Sequence, residues 1–263
     1  MGKITFLGTG TSQGVPMIGC NCHVCKSSDP RDNRLRTSAL VELNGFRILI
    51  DCGPDFRQQM LRHNITDLDA VILTHQHKDH TGGLDDIRAF NYFRQAAFPI
   101  YAEPYVQESL KMEFSYAFAE QKYPGVPDYE LHTIGEEPFT ITKTLPDSTT
   151  ATLEITPIRV YHYKLPILGF KFGNMAYITD GSSIPESEMY KLEGLDLLII
   201  NTVRKEKHIS HFSLPEALEI IEKAGARRNC LTHLSHQIGT HAELEALLPS
   251  NVQPAYDGLS LDF

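Results

Sequence analysis

Positive charge is scarce in this sequence. Its 263 residues carry 24 Lys and Arg against 33 Asp and Glu, a net charge of −9 with histidine neutral. Nucleic acid and anionic membrane reward the opposite balance, so neither is an expected partner, single nucleotides excepted. A small anionic substrate stays admissible, because a local cationic site can outweigh an acidic surface. No apolar run approaches the roughly 20 residues that a membrane-spanning helix needs. The opening MGKITFLGTGTS lacks the apolar stretch of a secretory leader, and the cytoplasm is the expected compartment. Repeats, low-complexity tracts and linkers are absent too, so one domain over 1–263 with a sizeable core is expected. Cysteine is limited to Cys20, Cys22, Cys25, Cys52 and Cys230. In a reducing compartment these are metal ligands or core residues before they are disulfides.

What is present is an interleaving of short β-rich runs with amphipathic helical patterns. ITFLG reads as a first strand, and SALVELNGFRILID as a hairpin turning at Asn44-Gly45. PDFRQQMLRHNI has a proline suited to a first helical turn. DAVILTH is a nearly continuous apolar strand, and GGLDDIRAFNYFRQ and PYVQESLKMEFSYAFAEQ are helical. ITPIRVYHY, GFKFGNMAYITD, DLLIINTV, NCLTHLS and GLSLDF are strands, the second turning at Gly173-Asn174. SLPEALEIIEKAGARR is a helix with Ser213 as N-cap, Pro215 in its first turn and Gly225 near its end. The stretch from about Gly135 to Thr152 reads as irregular. The pattern predicts an α/β fold of two sheets with helices on the outer faces.

Histidine is concentrated where that buried strand ends. LTHQHKDHTGG, Leu73 to Gly83, places His75, His77, Asp79 and His80 within six positions. The carboxyl end of a strand is where open α/β sheets present ligand groups. His75 and His77 share a face if the backbone is extended, and Asp79 with His80 can reach a second position beyond the turn. Imidazole suits zinc and its first-row neighbours, and the carboxylate admits Mn or Fe.

On these residues the sequence resembles the metallo-β-lactamase fold superfamily over essentially its whole length. Asp51 ends ILID, His75 to His80 form HQHKDH, His162 lies in VYHY, Asp180 in ITDG and His233 in LTHLS. The resemblance implies an αββα sandwich of two mixed sheets with helices on both outer faces. It implies that His75, His77 and His162 bind one divalent cation, that Asp79, His80 and His233 bind another, and that Asp180 bridges them. Asp51 would support the site without ligating, the alternative being a strand-end carboxylate facing water. His162 could equally be a core histidine, and Asp180 a turn residue or a cap for the SSIPESEMY helix. Two cations about 3.5 to 4 Å apart activate a shared water and hold both the attacking and leaving oxygens, so the expected chemistry is hydrolysis, with Zn, Mn, Fe or Ni as the pair.

A second constellation, GCNCHVC, supplies Cys20, Cys22 and Cys25 for a structural zinc, which needs a fourth ligand. His23 is constrained inside the loop. His236, three residues after His233 and so on the opposite side of an extended strand, is the better candidate. Three buried reduced thiols would be the alternative, and Cys52 and Cys230 read as core. A Cys-rich loop at 20–25 joined to such a His resembles the branch containing the cyclic-phosphate phosphodiesterase of the carbon–phosphorus lyase pathway. A pyrroloquinoline quinone biosynthesis protein, a binding or carrier candidate, has a similar loop.

HFSLPEALEII discriminates among these. His211 with Ser213 resembles the H-x-[ST] element of the phosphodiesterase and tRNA 3′-end-processing branches, whose His is the proposed proton donor to the leaving oxygen; His208 is the rival. The endonuclease branch carries an exosite insertion, whereas only 17 residues, Tyr163 to Thr179, separate His162 from Asp180 here. The expected activity is therefore hydrolysis of a small, cyclic phosphodiester, with His211 as acid and Asp79 in the catalytic centre. A thioester or lactam hydrolase shares H-x-H-x-D-H but leaves His211 and the cysteine loop unexplained. Arg31, Arg34 and Arg36 offer a bidentate phosphate contact or a solvated basic face. A homodimer is left open.

Overall fold

The computed structural model describes residues 1–145 and 147–263. The first strands are β1 (Lys3–Gly8), β2 (Ser38–Leu43), β3 (Phe46–Ile50), β4 (Ala70–Ile72), β5 (Phe98–Ala102) and β6 (Tyr129–Thr133). There follow β7 (Phe139–Thr144), β8 (Thr150–His162), β9 (Leu165–Phe172), β10 (Met175–Ile178), β11 (Leu197–Asn201), β12 (Arg228–Thr232), β13 (Val252–Pro254) and β14 (Ser260–Asp262). The α-helices are α1 (Phe56–Arg62), α2 (Lys78–Thr81), α3 (Arg88–Arg94), α4 (Pro104–Glu113), α5 (Leu214–Ala224) and α6 (His241–Glu245).

The strands form two seven-stranded sheets, ordered β14-β1-β2-β3-β4-β5-β6 and β13-β12-β11-β10-β9-β8-β7. Each is antiparallel in one half and parallel in the other, with the change at β3/β4 in the first and at β9/β10/β11 in the second. Residue alternation builds three apolar layers from this. On β3, Ile48 and Ile50 face the second sheet while Leu49 faces the helices; on β11, Leu197 and Ile199 face inward and Leu198 and Ile200 outward. Both strands are buried on two faces, which is why they read as unbroken apolar runs. Phe56 of α1, Phe90 of α3 and Val106 of α4 cover the first sheet; Ala217 and Ile221 of α5 and Leu244 of α6 cover the second. This is the predicted αββα sandwich.

Local signals held where they were chemically explicit. Asn44 and Gly45 adopt φ of 51° and 79°, the left-handed turn that the β2–β3 hairpin needs. Helix α5 begins in a capping box in which the Ser213 backbone N–H donates to Glu216 Oε2 at 2.9 Å, and ends at Gly225 with φ 63°.

Other expectations need correction. The stretch Gly135 to Thr152 contains β7 and the start of β8, paired from Phe139–Ile155 to Thr144–Thr150; Pro146 within it lies outside the described residues. Threonine-rich polar alternation on a sheet edge concealed both strands. Pro54 precedes α1 rather than entering its first turn, since Asp55 occupies the N-cap position. Strand β4 is shorter than DAVILTH, ending at Ile72; His75 and His77 follow in the expected loop, and Asp79 and His80 lie in α2. SSIPESEMY holds a 3-10 helix over Glu186–Leu192 with Pro185 at its N-cap, so Asp180 caps nothing there.

Candidate metal centre

The two sheets meet at one end of the sandwich, and each supplies groups there from the carboxyl ends of its strands. Asp51 follows β3, and His75 and His77 follow β4; His162 ends β8, Asp180 lies two residues past β10, and His233 follows β12. Asp51, Asp180 and His233 have φ of 61°, 57° and 57°. Left-handed backbone at non-glycine residues is uncommon and costs energy, and it concentrates at functional sites. Here it turns each chain sharply as its strand ends and aims the side chain inward. The glycines of the first loop serve a close approach: a Cβ on Gly53 would sit 2.1 Å from the Asp79 carbonyl oxygen, and one on Gly83 would sit 2.0 Å from that of Gly53. Larger residues there would push the histidine loop away from Asp51.

The predicted ligands converge. The His77 ring centroid lies 4.5 Å from that of His75 and 5.2 Å from that of His162, making one triad. Asp180 sits at the middle of the rest. Its Oδ2 is 3.1 Å from both His80 Nε2 and His233 Nδ1, and its Oδ1 is 3.7 Å from His211 Nδ1. Asp79 Oδ2 approaches His80 Nε2 at 3.3 Å. Donor atoms of His75, His80 and Asp180 fall within 4.8 Å of one another, as do those of Asp79, Asp180 and His233, and of His162, Asp180 and His211.

Hydrogen bonds fix which imidazole nitrogen faces inward. His80 Nδ1 donates to Asp51 Oδ2 at 2.7 Å. His75 Nδ1 donates to Thr74 Oγ1 at 3.0 Å, and Thr74 Oγ1 donates in turn to Asp51 Oδ2 at 2.9 Å. His162 Nδ1 donates to the carbonyl oxygens of Asp180 and Ser210 at 2.8 and 2.7 Å. Metal-ligating histidines are held in this way, with the second ring nitrogen committed to a carboxylate or carbonyl. Asp51 is therefore no solvent-facing carboxylate. It is fully buried and anchors two of the imidazoles, directly or through Thr74.

The donor set fits divalent cations. His75 Nε2 is buried and, among the described residues, has no hydrogen-bond partner, a costly arrangement for a polar atom that ligation relieves. Burial lowers the pKa of His75, His77 and His233, favouring the neutral, ligating form. For His80 burial acts the same way but is outweighed by Asp180, Asp51 and Asp79, which hold its pKa well above the ordinary value. Burial opposes ionisation of Asp180, yet His233 and His80 keep its pKa well below the carboxylate norm.

The cysteine loop forms a separate cluster. Cys20 and Cys22 Sγ lie 3.5 and 3.4 Å from His236 Nδ1, and Cys25 completes the group. A tetrahedral zinc with ordinary bond lengths has an S···N edge of about 3.6 Å. Backbone N–H groups of Cys25 and Met17 donate to Cys22 and Cys25 sulfurs, each at 3.4 Å. Hydrogen bonds from Cys25 and His236 lower the Cys22 pKa to about 6, and burial raises that of Cys25 to about 11. His23 turns outward to Glu243 at 3.2 Å. The strand argument for His236 does not hold, because β12 ends at Thr232. The left-handed turn at His233 separates the two histidines instead.

His211 borders the centre, its ring centroid 4.6 Å from that of His162 and 5.0 Å from those of His233 and His208. Burial pushes its pKa down to about 3, with Asp180 acting in opposition. Of the three arginines, Arg31 pairs with Asp29, and Arg34 is buried, donating to Thr9 Oγ1 and the Ala255 carbonyl. Arg36 borders a cavity of about 330 Å³ that also touches Asp79 and Lys78. Thr74 and Thr179 escaped sequence reading, although a threonine precedes His75, Asp180 and His233 alike; Thr179 Oγ1 donates to Asp180 Oδ2 at 2.8 Å.

Comparison with known proteins agrees with this geometry. A Beta-lactamase superfamily domain model matches residues 46–234. An octanoyltransferase of Porphyromonas gingivalis is 43% identical over 260 residues, 98% of this chain and 51% of that protein, so the chain spans about half of that relative. A ribonuclease Z of Sulfolobus acidocaldarius is 27% identical over 249 residues, 80% of this chain and 84% of that enzyme. The crystal structure of a diphosphatase from the PhnP family superposes with a TM-score of 0.88 at 40% identity, covering 100% of this chain and 97% of that one. By these matches the chain belongs to the β-lactamase superfamily and, within it, to the PhnP family.

Proposed function

We propose that the protein is a metal-dependent hydrolase of small phosphodiesters, cyclic ones included. His75, His77 and His162 would hold one divalent cation and Asp79, His80 and His233 the other, with Asp180 between them; Zn, Mn, Fe or Ni suits this set, and zinc the Cys20, Cys22, Cys25 and His236 group. Bound there, the pair supplies water activation and neutralises charge on the phosphoryl oxygens. Asp51 and Thr74 keep the imidazoles in their ligating tautomers. Arg36 stands at the edge, where its guanidinium can meet a phosphate oxygen.

The observation that carries the reading is the position of His211. It faces Asp180 on one side and a cleft of about 410 Å³ on the other. An anionic substrate drawn into that cleft favours the protonated ring that burial otherwise suppresses, and the ring then returns its proton to the departing oxygen. A diphosphate bond places the same demands on the site, and the PhnP-family diphosphatase favours it as a second reading. Thr11, Ser12, Gln13 and Gln237 line the cleft, a polar wall ill-suited to an octanoyl chain. The hairpin from β8 to β9 turns within Tyr163 and Lys164, which favours a small substrate over folded RNA.

A panel of bis(p-nitrophenyl) phosphate, a 2′,3′-cyclic nucleotide, a dinucleoside diphosphate, a thioester and a lactam, run on metal-analysed protein, tests this. Turnover of the phosphorus esters with none of the acyl substrates is expected. Faster thioester than phosphodiester turnover would overturn it.

A further inference from the structure

We infer that the segment between β1 and the cysteine loop forms a wall of the leaving-group subsite, so that the Cys20–Cys22–Cys25–His236 cluster that anchors this segment sets substrate specificity as well as local stability. The inference rests on the phosphodiesterase reading, because a proton donor stands next to the group that departs. If His211 is that donor, the leaving group occupies the cleft that His211 borders. The lining of this cleft includes the segment between β1 and the cysteine loop, with Ser12, Gln13 and Met17, as well as Gln237 and His236 itself. One residue thus faces the cleft and joins the thiolates.

The wall is tied to the cluster through its backbone. Met17 N–H donates to Cys25 Sγ at 3.4 Å, and Cys20 N–H donates to the Met17 carbonyl at 3.0 Å. Towards the protein body the segment is held by Val15 and Arg34, which exchange backbone hydrogen bonds of 2.9 and 2.7 Å. Ile18, at the outer end of the wall, is 98% exposed, so apolar burial does not hold that end in place. The thiolate cluster does. Ser12, Gln13 and Gln237 line the cleft with hydroxyl- and amide-bearing side chains, which suits a leaving group rich in hydroxyls, such as a sugar, rather than a bare aryl or alkyl group.

Two variants and two substrates test this. In Cys25→Ser and in Gln13→Ala, KM for a 2′,3′-cyclic nucleotide should rise about fivefold to tenfold, the worth of one lost hydrogen bond, while KM for bis(p-nitrophenyl) phosphate changes by about twofold or less. Cys25→Ser should also speed amide hydrogen exchange over residues 11–17 and lower the zinc content, whereas Gln13→Ala should leave exchange, zinc and melting temperature unaltered. Equal KM changes on both substrates, or a lowered melting temperature with both KM values unmoved, would assign the loop a purely structural role. If wild-type protein turns over neither substrate, the phosphodiesterase reading fails. The wall is then judged by calorimetric binding of a nucleoside monophosphate, which Gln13→Ala should weaken by the same factor if the wall is real and leave unchanged if it is not.

Discussion

The two candidate metal-ligand clusters are built on opposite plans. At the His/Asp centre the candidate ligands follow the ends of four strands in two sheets, and Asp51, Thr74 and backbone carbonyls orient the imidazoles before any ion arrives. At the cysteine loop three ligands lie within six residues, are partly exposed, and find each other and His236 with little surrounding core. The first site is shaped by the fold; the second would shape its own segment on closing around an ion. Preorganisation is therefore expected at the centre, and coupling of metal binding to local folding at the loop.

The largest effect should come from Asp180, which approaches His80, His233 and His211 together. In Asp180→Ala turnover should fall to background and the centre should lose metal by elemental analysis, while the loop keeps its zinc. Full loading of the centre with normal turnover would show that it does not bridge.

Next comes His211→Ala. General acid catalysis contributes about 10² to 10⁴ in rate, and most of this should be lost on a cyclic nucleotide, whose alkoxide leaves poorly. The loss should be distinctly smaller on bis(p-nitrophenyl) phosphate, with metal content preserved. A selective loss in His208→Ala would move the acid to that residue.

Asp51→Asn probes preorganisation itself. Groups that orient metal-bound histidines are worth about 10- to 100-fold in metal affinity, so competition with a chelator should show a loss of that order at the centre and none at the loop. The pH dependence has the same origin. In metal-free protein His80 is held protonated by Asp180, Asp51 and Asp79 against the effect of burial, and that proton must leave before Nε2 can ligate. Metal uptake at the centre should release it, measurable as a buffer-dependent binding enthalpy, and affinity should weaken as pH falls through neutrality.

The smallest effect on turnover of aryl substrates should be that of Cys22→Ala, which should remove one zinc and lower the melting temperature. An unchanged metal count and melting temperature would remove the structural-zinc assignment.

Legibility in the sequence followed the distance over which each feature is encoded. H-x-H-x-D-H was readable because four ligands share one loop, and α5 because cap, proline and glycine act within a turn or two. Strand β7 was missed because its threonines are polar on an edge, where pairing with β8 and not burial makes the strand. The role of His236 was anticipated on a strand that is not there, and what carries it is the left-handed turn at His233.

By itself the sequence determined the ligand types, the hairpin turns at Asn44-Gly45 and Gly173-Asn174, and the two-sided apolar strands, because these depend on neighbouring residues and on periodicity. Only the tertiary structure decided that Asp51 is a buried anchor, that Asp180 stands between the histidines of both sheets, and that His236, beside the cysteines, lines the same cleft as His211. Those relations join residues as far apart as Cys20 and His236, 216 positions along the chain. They exist because two sheets close on a shared core and bring their strand ends to a common edge, a consequence of packing that no local pattern records.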